Sequence, residues 1–235
     1  MKYLIPNADD FGFTRDVNEG IVLAHREGIL TATTLMATGA AFDHAVDLAR
    51  ENPDLDVGVH IVLVGGEGFP PTLPRFLLSL GRIRIYDELA RQVDKVVKAG
   101  IQPTHLDTHK HTHLVPHVFD AMARVAQEFR IPWLRRRFGP FGWLGAHGCR
   151  TTDHFLGFEM TGRYGTSELV RLIRELPEGS TEFMCHPGFC TDELRAARTR
   201  LKESRRRELD ALTSVEVRAA IEASGVKLVR YRDLM

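Results

Sequence analysis

Long apolar runs are missing from this chain. None approaches the roughly eighteen residues of a membrane-spanning helix, and Met1-Lys2-Tyr3 leads at once into a short strand-like segment with no apolar leader. An excess of one charge is missing too. Lys plus Arg and Asp plus Glu number 31 each, so no field favours nucleic acid or an anionic membrane. Cysteine is scarce. Cys149, Cys185 and Cys190 are odd in number and lack paired CxxC spacing, which argues against a disulfide framework and for a reducing compartment. There is no glycine-rich phosphate loop, no GxGxxG after a strand and no GxSxG elbow, so dinucleotide and serine-nucleophile chemistries lose ground. The expectation is a cytoplasmic protein with no membrane span and no nucleic-acid partner.

What remains is ordinary in bulk and unusual in one place. A chain of 235 residues, 43% hydrophobic and 26% charged, suits one domain over residues 1–235 with a sizeable core. Of its eleven histidines, four fall in His105-Leu106-Asp107-Thr108-His109-Lys110-His111-Thr112-His113. Neutral imidazole is a common metal ligand, and histidine clustered with aspartate is how a metal site usually shows itself in sequence. A second signal is Asn7-Ala8-Asp9-Asp10-Phe11-Gly12 after the apolar run Tyr3-Leu4-Ile5. Adjacent carboxylates are costly to hold together unless a cation or a shared proton relieves them.

Short β-branched runs alternate with helix-like stretches, the pattern of βα units around a parallel sheet or barrel. Strands are expected at Lys2–Pro6, Thr31–Met36, Val57–Leu63, up to His105-Leu106-Asp107, at Trp133–Phe138, Glu182–Cys185 and Val226–Tyr231. Helices are expected at Val17–Glu27, Phe42–Glu51, Glu88–Ala99, Val115–Phe129 and Val215–Ala223. Val64–Pro74 and Gly139–Gly165 read as loops, and the basic stretch Arg195–Arg207 as an exposed helix face. Asp9, Asp10, His60, Asp107, His109 and His186 then all stand at or just after strand ends. In parallel α/β folds those ends share one rim.

Asp10, His60 and His109 make a carboxylate and two imidazoles, enough to hold a divalent ion and leave room for water and substrate. Structural readings compete. Asp10 could cap a turn or helix, and His60 could be a hydrogen-bonded core histidine. Asp107 is the natural partner to orient a ligating histidine. His111 and His113 join that face if the chain stays extended. His186, ending a strand before Pro187-Gly188, can donate a proton to a leaving group, or be a loop histidine. Arg135-Arg136-Arg137 alternates across a strand, so Arg135 and Arg137 are candidates to meet an anionic group, against a solvated charge run.

The four motifs Asn7–Gly12, Val57-Gly58-Val59-His60, His105–His113 and Cys185-His186-Pro187-Gly188 occur in this order almost from end to end of the chain. In this the chain resembles the YdjC-like (ChbG/HpnK) carbohydrate deacetylases. The resemblance implies a single distorted (β/α) barrel of the TIM type with mostly parallel strands. It also implies metal-dependent removal of acetyl from an N-acetylated sugar such as a chitooligosaccharide, with one divalent ion, magnesium or zinc. By motif it makes Asp10, His60 and His109 the ligands, Asp9 the general base and His186 the general acid. Thr152–Phe158, with His154, is similar to the branch associated with hopanoid biosynthesis. Another metal enzyme on the same barrel (a phosphoesterase or sugar isomerase) and a non-catalytic sugar-binding protein are the alternatives. Monomer and homodimer both suit the near-neutral composition.

Overall fold

Alternation along the strands decides which side chains meet the helices and which meet each other. The computed structural model describes residues 1–81, 84–138 and 148–234. In β1 (Lys2–Phe11), Leu4 and Ala8 join the large apolar core beneath the helices, while Ile5 belongs to a small separate cluster with Ala32, Trp133 and Tyr231 on the opposite face. The same period runs through β3 (Asp56–Ile61), where Val57, Val59 and Ile61 face the core. It recurs in β4 (His105–Thr108) with Leu106, and in β7 (Gly179–Cys185) with Phe183 and Cys185. Burying each such side chain contributes about 1.5–3 kcal/mol. The intervening positions (Gly58, His60, His105, Asp107, Glu182) are left to the concave side of the sheet.

The strands are parallel, in the order β5-β4-β3-β2-β1-β7-β6. β2 is Ala32–Leu35, β5 is Trp133–Leu134 and β6 is His154–Leu156. A short β8 (Lys227–Leu228) pairs with Tyr3 and Leu4 of β1. The result is a curled parallel sheet, a half-barrel, with helices around it. These are α1 (Arg15–Glu27), α2 (Phe42–Glu51), α3 (Leu73–Ser79), α4 (Ile85–Lys98), α5 (Pro116–Glu128), α6 (Thr166–Arg174), α7 (Asp192–Ala196), α8 (Glu203–Thr213) and α9 (Val215–Ala223). Thr14 caps α1 through its side chain, and Pro116 opens α5 where its missing N–H costs nothing.

Several expectations are corrected. β1 runs on to Phe11, so Asp9 and Asp10 lie within the strand rather than after it. The expected fifth strand stops at Leu134, and the last shrinks to two residues followed by a 3-10 turn at Tyr231–Leu234. Part of the expected loop Gly139–Gly165 lies outside the described residues, and its later part contains β6. The helices α3, α6 and α7 were not anticipated. Arg195–Arg207 is exposed at Arg195, Arg198, Arg200, Arg206 and Arg207 as expected, but α8 begins within it and Arg205 there is 1% exposed. No described helix is long and apolar enough to cross a membrane.

Candidate metal centre

The register of β1 against β2 slips between Ala8 and Phe11, and Asp10 within that slip takes φ 72°. Regular alternation would turn Asp9 and Asp10 to opposite faces. A bulge with one residue in the left-handed region re-aims the second carboxylate instead, and aspartate tolerates that region better than most residues. Both carboxylates thus reach the mouth of the half-barrel, each 3% exposed.

Three donor atoms converge there. Asp10 Oδ1 lies 3.1 Å from His109 Nδ1 and 3.4 Å from His60 Nε2, and the two ring nitrogens are 3.3 Å apart. Adjacent ligands about 2.0–2.1 Å from one ion are separated by about 3.0–3.4 Å, so the triangle fits a divalent cation in tetrahedral or octahedral coordination. His60 presents Nε2 because its Nδ1 is taken by Asp107 Oδ1 at 2.6 Å, while Thr34 donates to Asp107 Oδ2 at 3.1 Å. This is the carboxylate–histidine arrangement that orients a metal-binding ring. Burial opposes a charge on His60, but Asp107, Asp9 and Asp10 outweigh it and push its pKa up to about 10. Burial likewise opposes the Asp10 anion, yet Arg205 and the two histidines hold its carboxyl well below the usual range.

Asp9, His60 and Asp107 form a second group with ligand-like spacing. A guanidinium already fills it. Arg135 donates to both oxygens of Asp9, at 2.6 and 2.9 Å, and stands 2.6 Å from Asp107 Oδ2 and 2.8 Å from Glu182 Oε1. Asn7 donates to Glu182 Oε1 at 2.9 Å, closing the network on the concave side. Arg135 therefore stands behind Asp9, buried, instead of meeting an anionic substrate group.

A cleft of about 1270 Å³ opens over the triangle, lined among others by Asp9, Asp10, His60, His109, His111, Phe158 and His186. His186 places Nε2 3.9 Å from Asp9 Oδ2. Burial lowers its pKa. The expected single face of histidines is not formed. Residues His109–Leu114 fold into 3-10 turns with Lys110 and His111 in the left-handed region. His111 turns to the cleft among Phe138, Phe155 and Phe158, whereas His113 is buried against Thr108. His105 is stacked on Tyr231. Arg137 lies over the Phe119 ring, and His154 bonds the Glu178 carbonyl near the start of β7. Neither Arg137 nor His154 is brought to the cleft.

Two residues that matter here were hidden in the sequence. Arg205 Nη2 donates to Asp10 Oδ2 at 2.5 Å, and Glu208 Oε2 accepts the backbone N–H of His186 at 2.6 Å. The usable signal was a helical stripe: Leu201, Arg205, Glu208, Leu209 and Leu212 share one face at spacings of three and four.

The profile of a family described as YdjC-like protein matches residues 3–223. A carbohydrate deacetylase of Brevibacillus brevis is 34% identical, covering 98% of this chain and 99% of its own. One of Clostridium beijerinckii is 32% identical, covering 98% and 99%. A solved structure from Enterococcus faecalis, assigned provisionally to cellobiose-phosphate cleavage, superposes with TM-score 0.87 at 30% identity, covering 99% of this chain and 98% of that one.

Proposed function

The chain belongs to the YdjC-like protein family, and from that premise we propose that it is a metal-dependent carbohydrate N-deacetylase acting on N-acetylated sugars. The observation that carries the reading is the triangle of Asp10, His60 and His109 set beside Asp9 and His186 on one cleft floor. The names of the relatives, carbohydrate deacetylases, supply the reaction class.

A divalent cation on Asp10, His60 and His109 would polarise the acetamide carbonyl and acidify the attacking water. Two nitrogens and one oxygen suit zinc, cobalt, nickel or manganese better than magnesium, which prefers oxygen. Asp9 accepts the proton of the attacking water. Burial opposes its charge, but Arg135 and His60 outweigh this and hold its carboxyl far below the ordinary range, so it is ionised at neutral pH and keeps a proton only briefly. Arg135, with two bonds to the carboxylate, keeps it aimed. The proton passes on to His186, whose lowered pKa lets the imidazolium give it up readily to the sugar nitrogen as the C–N bond breaks. Hydroxyl has gone to the carbonyl carbon and the proton to nitrogen, leaving acetate and a free amine.

Acetate release from N,N′-diacetylchitobiose by purified protein, with and without a chelator, tests this. Chelator-sensitive release, restored by adding back one equivalent of divalent ion, is expected. A requirement for two ions per chain would favour a two-metal phosphoesterase, against which the guanidinium in the second Asp/His group already argues.

A further inference from the structure

We infer that α8 brackets the site, with Arg205 setting which oxygen of Asp10 faces the two imidazoles and Glu208, one turn on, setting where His186 stands. The inference rests on the reading of Asp10 as a ligand and His186 as a proton carrier. Residues three apart share a helix face, and this face is turned to the cleft floor with both charged side chains at 1% exposure or less. A helix that only covered the sheet would bury leucine there, as it does at Leu209 and Leu212, because an ion is costly to desolvate.

Each charge is answered by a different half of the site. Arg205 Nη2 holds Asp10 Oδ2 at 2.5 Å, which leaves Oδ1 as the oxygen facing His109 and His60. A charge-assisted bond of this kind fixes the carboxylate plane, on a residue whose own backbone is in the sparsely populated left-handed region. Glu208 Oε2 accepts from His186 N at 2.6 Å and its Oε1 from Gly162 N at 3.0 Å, while the Arg205 carbonyl accepts from Gly188 N at 3.2 Å. His186 Nδ1 has no hydrogen-bond partner among the described residues. Among the described residues no bond to Nδ1 orients that ring and Nε2 stands 3.9 Å from Asp9 Oδ2, so its place depends on the backbone that Glu208 holds. Arg205 and Glu208 are positioning residues.

Three variants separate this from a structural role. Divalent-ion affinity is read by competing Co²⁺ or Zn²⁺ against a chromophoric chelator, alongside kcat and KM for acetate release and thermal unfolding. Arg205→Met is expected to weaken ion binding about 10–100-fold, and Arg205→Lys, which keeps one charged donor, to restore most of the loss. Glu208→Gln is expected to leave ion affinity within about twofold of the parent and to lower kcat about tenfold or more at nearly constant KM. Should Arg205→Met not fold, Arg205→Gln takes its place, since only a variant that removes the Arg205 charge is to lower ion affinity, while Arg205→Lys and Glu208→Gln stay near the parent. Parallel loss of stability and activity in all three with ion affinity unchanged would overturn the bracket. So would equal loss of ion affinity in the Glu208 and Arg205 variants. A parent protein that binds no divalent ion and releases no acetate would refute the underlying reading, and the bracket with it.

Discussion

His60 has two demands on its Nε2. Its pKa, raised to about 10 by Asp107, Asp9 and Asp10 against the opposing effect of burial, means that the nitrogen carries a proton at neutral pH, and a cation must displace it. Ion affinity should therefore rise about tenfold per pH unit from pH 7 to 9 and level off towards 10, with one proton released per ion bound. Titration calorimetry in buffers of different ionisation enthalpy reads that proton, and an affinity flat with pH contradicts the scheme. Asp107→Asn removes the charge that orients His60 and should weaken ion binding about 10–100-fold with the fold intact. At this scale the residue types were legible in sequence and their aim was not. Asp10 reaches the site only because the strand slips, and no local pattern announces that slip. The histidines would share one face only in an extended chain, and the left-handed Lys110 and His111 scatter them.

The loop that carries His186 is held by packing between elements. Gly20, inside α1, faces Gly188 so closely that a Cβ on Gly20 would lie 2.4 Å from the Gly188 Cα. In an exposed helix Gly→Ala would stabilise by about 1 kcal/mol, whereas here backbone meets backbone and something must shift. Gly20→Ala is expected to destabilise by about 1–3 kcal/mol and to lower kcat, because the displaced segment includes His186. A variant as stable and active as the parent would show that the approach is slack. Elements with a strong local period were legible: α2 and α9 fall where the sequence placed them, and β2 to β4 and β7 within a few residues, while β1 starts where expected and runs on to Phe11. α8 is legible only in part: the run Arg195–Arg207 reads as an exposed helix face, whereas its buried stripe includes the charged Arg205 and Glu208.

Across the whole molecule the polar groups on the concave side of the sheet are buried, and this sets how stability follows pH. Burial, with Arg135 next for His105 and His111 and His111 next for His113, holds these three histidines below their ordinary 6.5, His111 at about 3. The unfolded chain protonates them near pH 6.5 and the folded chain does not, so stability should fall as pH drops below 6.5 by about 1.4 kcal/mol per pH unit for each. His60 acts in the opposite sense: its contribution is complete below 6.5 and is lost as pH rises through about 10. Asp9 and Asp10, with depressed pKa values, keep their contribution down to about pH 4 and lose it only below that, so the loss between 6.5 and 4 belongs to the histidines. Denaturant midpoints at pH 7.5, 6 and 5 check this, and constant midpoints would contradict it.

The account turns on a division between neighbours: Asp10 holds the ion and Asp9 moves the proton. Metal content and acetate release, measured on the same preparations of the parent, Asp9→Asn and Asp10→Ala, test it directly. The expected result is one divalent ion per chain in the parent and in Asp9→Asn, with turnover only in the parent, and little or no ion in Asp10→Ala. Equal ion content in the two inactive variants, or turnover surviving in Asp9→Asn, would contradict it.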